Sequence, residues 1–251
     1  MALKKDGRRE RRRSSDEPKP EWIPKSDVGR LVKSGQITSV EEIFSMGKPI
    51  LESGIIDHLY PDMTEDTLEV KSTQRMTGNG RKMQFRAIVL VGDKKGHFGI
   101  GAGKSEEVKP AIESAIKDAK RNIISVPFGC GSWESGIGFR NSIPIAVNGR
   151  AGSVRVLLKP APRGVGLAAN DVVKKVLAAA GVKDICSFSR GHTRSIYNTA
   201  MATADALEQL NTMKLSKSWG GETKPETGKQ PEEKMSADAD NSPTRRAKVS
   251  S

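Results

Sequence analysis

Gly80-Arg81-Lys82-Met83-Gln84-Phe85-Arg86-Ala87-Ile88-Val89-Leu90-Val91 runs through the turn Gly92-Asp93-Lys94-Lys95-Gly96 into His97-Phe98-Gly99-Ile100-Gly101-Ala102-Gly103-Lys104-Ser105. At a period of two, Lys82 to Val91 is a strand with Met83, Phe85, Ala87, Val89 and Val91 on one face; Gln84 and Arg86 begin the other. His97 to Ala102 is the next strand. Ser105 is placed to cap a helix reaching about Ile124, with Val108, Ile112, Ile116, Ala119 and Ile123 as its buried stripe.

Upstream, Leu68 to Arg75 is strand-like, and Thr77-Gly78-Asn79-Gly80 is a turn because Asn and Gly accept the positive φ of tight hairpins. Three strands in a meander followed by a long helix make an α+β layer. Before it, Trp22-Ile23-Pro24 leads to an amphipathic stretch at Val28, Leu31 and Val32. Two overlapping capping boxes (Thr38 with Glu41, Ser39 with Glu42) open a helix from Val40 to Met46. A further helix is predicted over Ile50 to Leu59, weakened by Gly54. Helix, three strands, helix is the order of a double-stranded-RNA-binding domain.

Gly- and Pro-rich sequence between Val126 and Pro144 predicts a boundary. Beyond it, strands Ile145 to Val147 and Ser153 to Leu158 are expected to turn around Asn148-Gly149. The loop Lys159-Pro160-Ala161-Pro162-Arg163-Gly164 leads to a helix, Ala169 to Ala180, with Gly181 at its C′ position. A strand from Lys183 to Phe188 and a helix from Ser195 to Leu210, facing inward with Tyr197, Ala200, Ala204 and Leu207, complete a ββαβα unit.

Aromatic residues are only 4% of the 251, so the cores rest on Val, Ile, Leu and Ala. The formal charge of +12 favours a polyanionic partner. No apolar run reaches the roughly 18 residues needed to span a bilayer, and the charged opening lacks the apolar stretch of a signal peptide; no membrane partner is expected. Cys130 and Cys186 are far apart and read as reduced, buried thiols of a cytosolic protein. Residues 1–20 and 220–251 are polar and expected to be disordered. The first is basic, and is either a solvated tail or an arm lying on phosphates.

Gly99 to Ser105 imitates a phosphate-binding loop, but the first glycine of that motif would fall at Phe98. The third glycine of a dinucleotide fingerprint would fall at Lys104. The better reading is that small residues let this strand approach the helix closely, leaving Lys104 at the helix's N-terminal end to meet an RNA phosphate. His58, His97 and His192 are isolated, and no catalytic constellation, metal site or cofactor is expected. Asp62, Glu65, Asp66 and Glu69 read as a solvated loop, with a metal site only as the alternative.

Basic and polar side chains beside turns are the remaining signal. Arg75, Thr77, Asn79, Arg81, Lys82, Gln84 and Arg86 surround the first hairpin, and Lys94 and Lys95 occupy the second turn. Lys104, Lys109, Lys120 and Arg121 accompany the helix; Arg140, Arg150, Arg190, His192 and Arg194 punctuate the second half. On glycine-rich loops they suit phosphate and sugar contacts. With so few aromatics for base stacking, folded RNA read by shape is the better fit. A free double-stranded-RNA-binding regulator or an NTP-dependent enzyme are the alternatives.

Gly80 to Ala87, Val91-Gly92-Asp93 and Gly99 to Lys104 together resemble the first-domain signature of the universal ribosomal protein five family of the small subunit. Val154 to Leu158, Lys159 to Gly166 and Ala178 to Val182 resemble its second-domain signature. Glu21 to Pro24, Gly29 to Lys33 and Pro49 to Ser53 look like its eukaryotic form, called protein two of the small subunit there. The resemblance implies a non-enzymatic constituent of the cytoplasmic ribosome, assembled in the nucleolus where the organism has one. It implies a double-stranded-RNA-binding-like α-β-β-β-α domain followed by a ββαβα domain with a left-handed βαβ crossover. The expected divisions are a basic arm, 1–20; a helical extension, 21–64; the two domains, 65–126 and 145–219, with a linker, 127–144; and a tail, 220–251. Expected partners are small-subunit rRNA, mRNA where it enters the subunit, and the neighbouring universal proteins three and four. Carried over, the Arg75–Arg86 hairpin reaches rRNA near the decoding region. Arg155, Lys159, Arg163, Gly164 and Gly166 face a neighbouring protein, where contacts affect decoding accuracy.

Overall fold

A computed structural model describes residues 22–132, 134 and 140–213. The expectations for 1–20, Glu21 and 220–251 lie outside these residues. Three short helices come first: α1 (Asp27–Lys33), α2 (Val40–Ser45) and α3 (Ser53–Leu59). Helices this short do not hold in water alone, and they close over a shared core of Val28, Val32, Val40, Ile43, Ile55 and Ile56. Gly54 has a packing reason, because a Cβ there would lie 2.6 Å from the Trp22 ring. Neither capping box forms as expected. Ser39 is the N-cap without a side-chain bond, and Glu42 instead accepts from the Thr38 amide at 3.1 Å and the Thr38 hydroxyl at 3.3 Å.

The first sheet is antiparallel in the order β1 (Thr64–Thr77), β2 (Gly80–Gly92), β3 (His97–Ser105) and, after α4 (Val108–Arg121), β4 (Ile123–Ser125). The glycine alternation of β3 determines how α4 sits. A Cβ on Gly99, Gly101 or Gly103 would run into the backbone of Ala119, Ala115 or Ala111 respectively. At that separation only methyl groups fit between strand and helix. The buried stripe is therefore Ala111, Ala115 and Ala119, while Ile112 and Ile116 sit at its margins. Val108 is largely exposed, and Ile123 belongs to β4. Ser105 is the last residue of β3 and Glu107 is the N-cap. The first hairpin turns through Gly78-Asn79, and its positive φ falls on Gly80 rather than Asn79.

The second sheet, in the order β5-β6-β8-β7, is built from β5 (Val147–Ala151), β6 (Val154–Pro160), β7 (Leu167–Ala168) and, after α5 (Asp171–Ala180), β8 (Ile185–Arg190). β7 is parallel to β8, so β7, α5 and β8 form a βαβ unit, and α6 (Ile196–Glu208) follows. Asn148-Gly149 is not the turn; it lies within β5, and the chain reverses at Gly152-Ser153. Gly149 is needed mid-strand because a Cβ there would meet the Ala202 carbonyl and Ala206 of α6. Gly181 ends α5 at φ +92°, as expected.

The expectation of one buried face on β2 is incomplete. Ala87, Val89 and Val91 pack on α4, but Ile88 and Leu90 point the other way and join Val156, Leu158, Val176 and Leu207 in one core. The first sheet is thus buried on both sides near its base. The Lys94 amide donates to the Ala179 carbonyl at 3.0 Å, tying the β2–β3 turn to the end of α5. The Gly- and Pro-rich connection is itself anchored, with Gly129 bridged to Ser142 and Ile143 fully buried; Cys130 within it and Cys186 on β8 are only part-buried, not buried as expected.

Candidate nucleic-acid interface

β1 and β2 project beyond the body as a two-stranded ribbon. From Lys71 to Met83 every residue is exposed, so neither face of this stretch is covered by the described chain. Cross-strand partners share a face, and the register sorts the predicted residues. Arg75 opposes Lys82, Thr73 opposes Gln84 and Thr77 opposes Gly80, which places these polar side chains on one face. Arg81 opposes Met76 on the other face, which continues through Met83 to the α4 side. Asn79 stands in the turn, and the Thr77 hydroxyl donates to the Gly80 carbonyl at 2.8 Å. Lys82 is also 3.1 Å from Glu106, an exposed pair that contributes little.

At the base of the ribbon, Lys71, Arg86 and Lys104 form a basic row across β1, β2 and β3. Lys104 is therefore a strand residue opposite Arg86, not a residue at the helix end; two residues before it, the Ala102 amide donates to the Asp118 carboxylate of α4 at 3.0 Å. Arg86 is half-buried, its guanidinium 4.6 Å from the centre of the Tyr197 ring. That cation–π contact joins β2 to α6 and makes Arg86 a structural residue first.

Lys120 is engaged within the chain. Its ammonium lies 2.7 Å from Asp57 and 2.8 Å from Glu65, with the side chain only 12% exposed. Burial alone would push its pKa down, but the two carboxylates hold it above its ordinary 10.5. It fastens α3 and β1 to α4. Glu65, from the acidic stretch, is thereby occupied; among the described residues no group of three or more His, Cys, Asp or Glu could hold a metal ion. Lys109 and Arg121 stay exposed, Arg121 beside an open hollow lined by Lys48, Ile50 and Asp118. Lys94 and Lys95 are exposed too, at the opposite end of β2 from the ribbon tip. Thirteen residues of strand put them roughly 40 Å from it.

On the second sheet the face away from α6 is open. Arg150, Arg155 and Arg190 stand opposite one another on β5, β6 and β8. Among the described residues none of the three guanidinium groups has a carboxylate within salt-bridge distance. Asn148, Leu157 and Phe188 form the next row; Phe188 is 61% exposed, and the Lys159 ammonium lies 5.6 Å from its ring centre. Arg155, Lys159, Phe188 and Arg190 line a shallow hollow of about 330 Å³. Residues expected to serve RNA (Arg150, Arg190) and a protein (Arg155, Lys159) thus share one surface. Phe188 was legible as an outward residue, since alternation from buried Ile185 puts it with Cys186 and Arg190.

Asp184, which no sequence signal singled out, organises the adjoining loop. One carboxylate oxygen accepts from the Gly164 amide at 3.1 Å and the Gly166 amide at 2.8 Å; the other accepts from the Asn141 side chain. Gly164 and Gly166 both have positive φ, so the loop turns sharply around this anchor and leaves Arg163 and Val165 exposed. Burial raises the Asp184 pKa, but the Gly166 amide, Asn141, the Gly164 amide and the field of Arg163 outweigh it and hold the group below its ordinary 3.8. A depressed carboxyl stabilises the fold above the unfolded pKa, and that contribution is lost as pH falls through the lower folded value. Asp184→Asn should therefore cost about 2 kcal/mol near neutral pH and flatten the acid limb of stability below pH 3.8, measured by denaturant melts across pH. Arg140, His192 and Arg194 are exposed at the edges of this half; the His192 carbonyl accepts from the Ser195 amide as α6 begins.

Residues 63–127 match the family model described as ribosomal protein S5, N-terminal domain, and residues 149–219 match ribosomal protein S5, C-terminal domain. The chain is 52% identical over 196 residues to small ribosomal subunit protein uS5 of Methanothermobacter thermautotrophicus, covering 78% of this chain and 91% of that one. It is 52% identical over 191 residues to uS5 of Methanocaldococcus jannaschii, covering 76% and 88%. To uS5 of Methanococcus maripaludis it is 50% identical over 212 residues, covering 84% and 91%.

Proposed function

The chain belongs to the ribosomal protein S5 family, of the archaeal and eukaryotic type, and from that premise we infer that it is a structural, non-enzymatic constituent of the small ribosomal subunit. It holds rRNA through its basic surfaces and meets neighbouring ribosomal proteins. The observation that carries this reading is the projecting ribbon, whose polar face sets Lys71, Arg75 and Lys82 in line, with Glu69 beside Lys71 and Glu106 beside Lys82 as flanking carboxylates and none in the chain from Lys71 to Arg86. Such a face suits a phosphate backbone. Lys94, Lys95, Lys104, Lys109, Arg121, Arg140, His192 and Arg194 are proposed as secondary rRNA contacts.

The finer placement is also our proposal. The ribbon reaches rRNA near the decoding region, and the open face of the second sheet, with Arg163, Gly164 and Gly166 beside it, receives a neighbouring protein. Proteins three and four are the proposed neighbours, at the channel where mRNA enters. The division into 1–20, 21–64, 65–126, 127–144, 145–219 and 220–251 is retained on this reading, as is assembly in a nucleolus where one exists. Sedimentation of cell extracts in high salt tests the core of it. The chain should remain stoichiometric with small subunits; recovery in the free fraction would instead indicate a soluble RNA-binding regulator.

A further inference from the structure

Between Lys71 and Met83 the ribbon has two chemically different faces. The polar one displays Lys71, Thr73, Arg75 and Lys82; the other displays Ser72, Gln74, Met76, Arg81 and Met83. Met76 is 71% exposed and Met83 50%, and nothing in the described chain covers either. Two strands alone are marginal in water, and two exposed thioethers add nothing to their stability there. We propose that the ribbon is threaded between two segments of folded RNA, gripping phosphates with its polar face and packing Met76 and Met83 against bases or sugar edges of the second segment. The proposal rests on the RNA-binding reading above and extends it to the face that charge alone does not explain.

Charge selects the occupant. From Lys71 to Arg86 there are five cations and no carboxylate, and Arg81 is the single charge on the methionine face. Among the described residues, the two carboxylates that reach the ribbon, Glu69 beside Lys71 and Glu106 beside Lys82, are both on the polar face. The methionine face offers a partner only Arg81, so a polyanion is favoured there over a protein surface carrying both signs. Single-stranded loops and the wide minor groove of RNA offer flat, weakly charged surfaces, and unbranched Met conforms to such irregular shapes. The guanidinium of Arg81 can stack on a base or hold a phosphate at its margin.

The two faces separate by salt dependence. Full-length wild type, Arg75→Gln/Lys82→Gln and Met76→Gln/Met83→Gln would be rebound to small subunits stripped of this protein, over a range of KCl concentrations. Losing phosphate contacts should reduce the slope of log K against log salt by about 0.7–0.9 per contact. The methionine pair should lower affinity about tenfold, some 1.4 kcal/mol, with the slope unchanged. Wild-type affinity in the methionine variant while the basic variant is impaired overturns the proposal alone. Wild-type behaviour in both overturns the RNA-binding reading of the ribbon beneath it. A diazirine side chain placed at position 76 should crosslink to rRNA; crosslinking only to protein would sink the RNA assignment of this face.

Discussion

Gly101→Val should destroy the first half of the fold. A side chain at this position enters the space occupied by the Ala115 carbonyl and the Ala119 amide, so the clash is with helix backbone and not with a rotatable side chain. Relief requires α4 to move away from β3, opening the Ala87, Val89 and Val91 core behind it. Overpacking against movable side chains costs about 1–3 kcal/mol; a backbone clash belongs with the rare changes above about 4 kcal/mol. Against a total stability of about 5–15 kcal/mol, that means a melting temperature lower by at least about 10 °C or no cooperative transition. Gly78→Ala is the control. No atom lies within 4 Å of a Cβ there, and its melting curve should shift by no more than about 0.5 kcal/mol. A wild-type melt for Gly101→Val would refute the strand–helix account of the glycine motif.

Arg155→Glu should have opposite effects on the free chain and on the assembled subunit. Arg155 is the middle of three facing arginines, a like-charge arrangement that is unfavourable in isolation. Placing a carboxylate between Arg150 and Arg190 should raise the stability of the free protein by about 0.2–1 kcal/mol. If the open face docks against a partner, the same change should weaken retention by about 2 kcal/mol or more, roughly thirtyfold, and increase misreading of codons. Thermal melts, high-salt retention on small subunits and a miscoding reporter measure these separately. Stabilisation with unaltered retention and accuracy would remove this face from the proposed interface. Joint loss of stability and retention would mean that the row supports the fold instead.

Much of this architecture was legible because its physics is local. The alternation of β2, the small-residue pattern of β3 and Gly181 after α5 each follow from side-chain size or backbone freedom within a few residues. The false phosphate-binding loop could also be rejected by counting to Phe98. Caps and the exact seat of the positive φ were misread locally, but the two larger misreadings came from distant packing. Asn148-Gly149 has the composition of a turn, yet it is strand because α6 lies against Gly149. The stripe of Ile112 and Ile116 has the expected helical spacing, but the glycines of β3 bring alanines inward instead.

The candidate site divides along the same line. Basic residues beside turns could be named from the chain, but not their employment. Lys120 is held by Asp57, 63 residues away, and by Glu65, while Arg86 rests on Tyr197 of α6, the helix packed on the other sheet. Asp184 gave no signal, because its role consists of amides brought to it from 18 and 20 residues away.

What the sequence determined by itself is a basic, two-part α+β protein with a long hairpin, since charge, periodicity and turn chemistry are properties of neighbouring residues. Only the tertiary structure decided which cations face outward, that Arg150, Arg155 and Arg190 form one row, and that the ribbon has a basic and a methionine face. Those facts depend on strand register and on burial by distant elements, and a one-residue slip in register would exchange every side chain between faces.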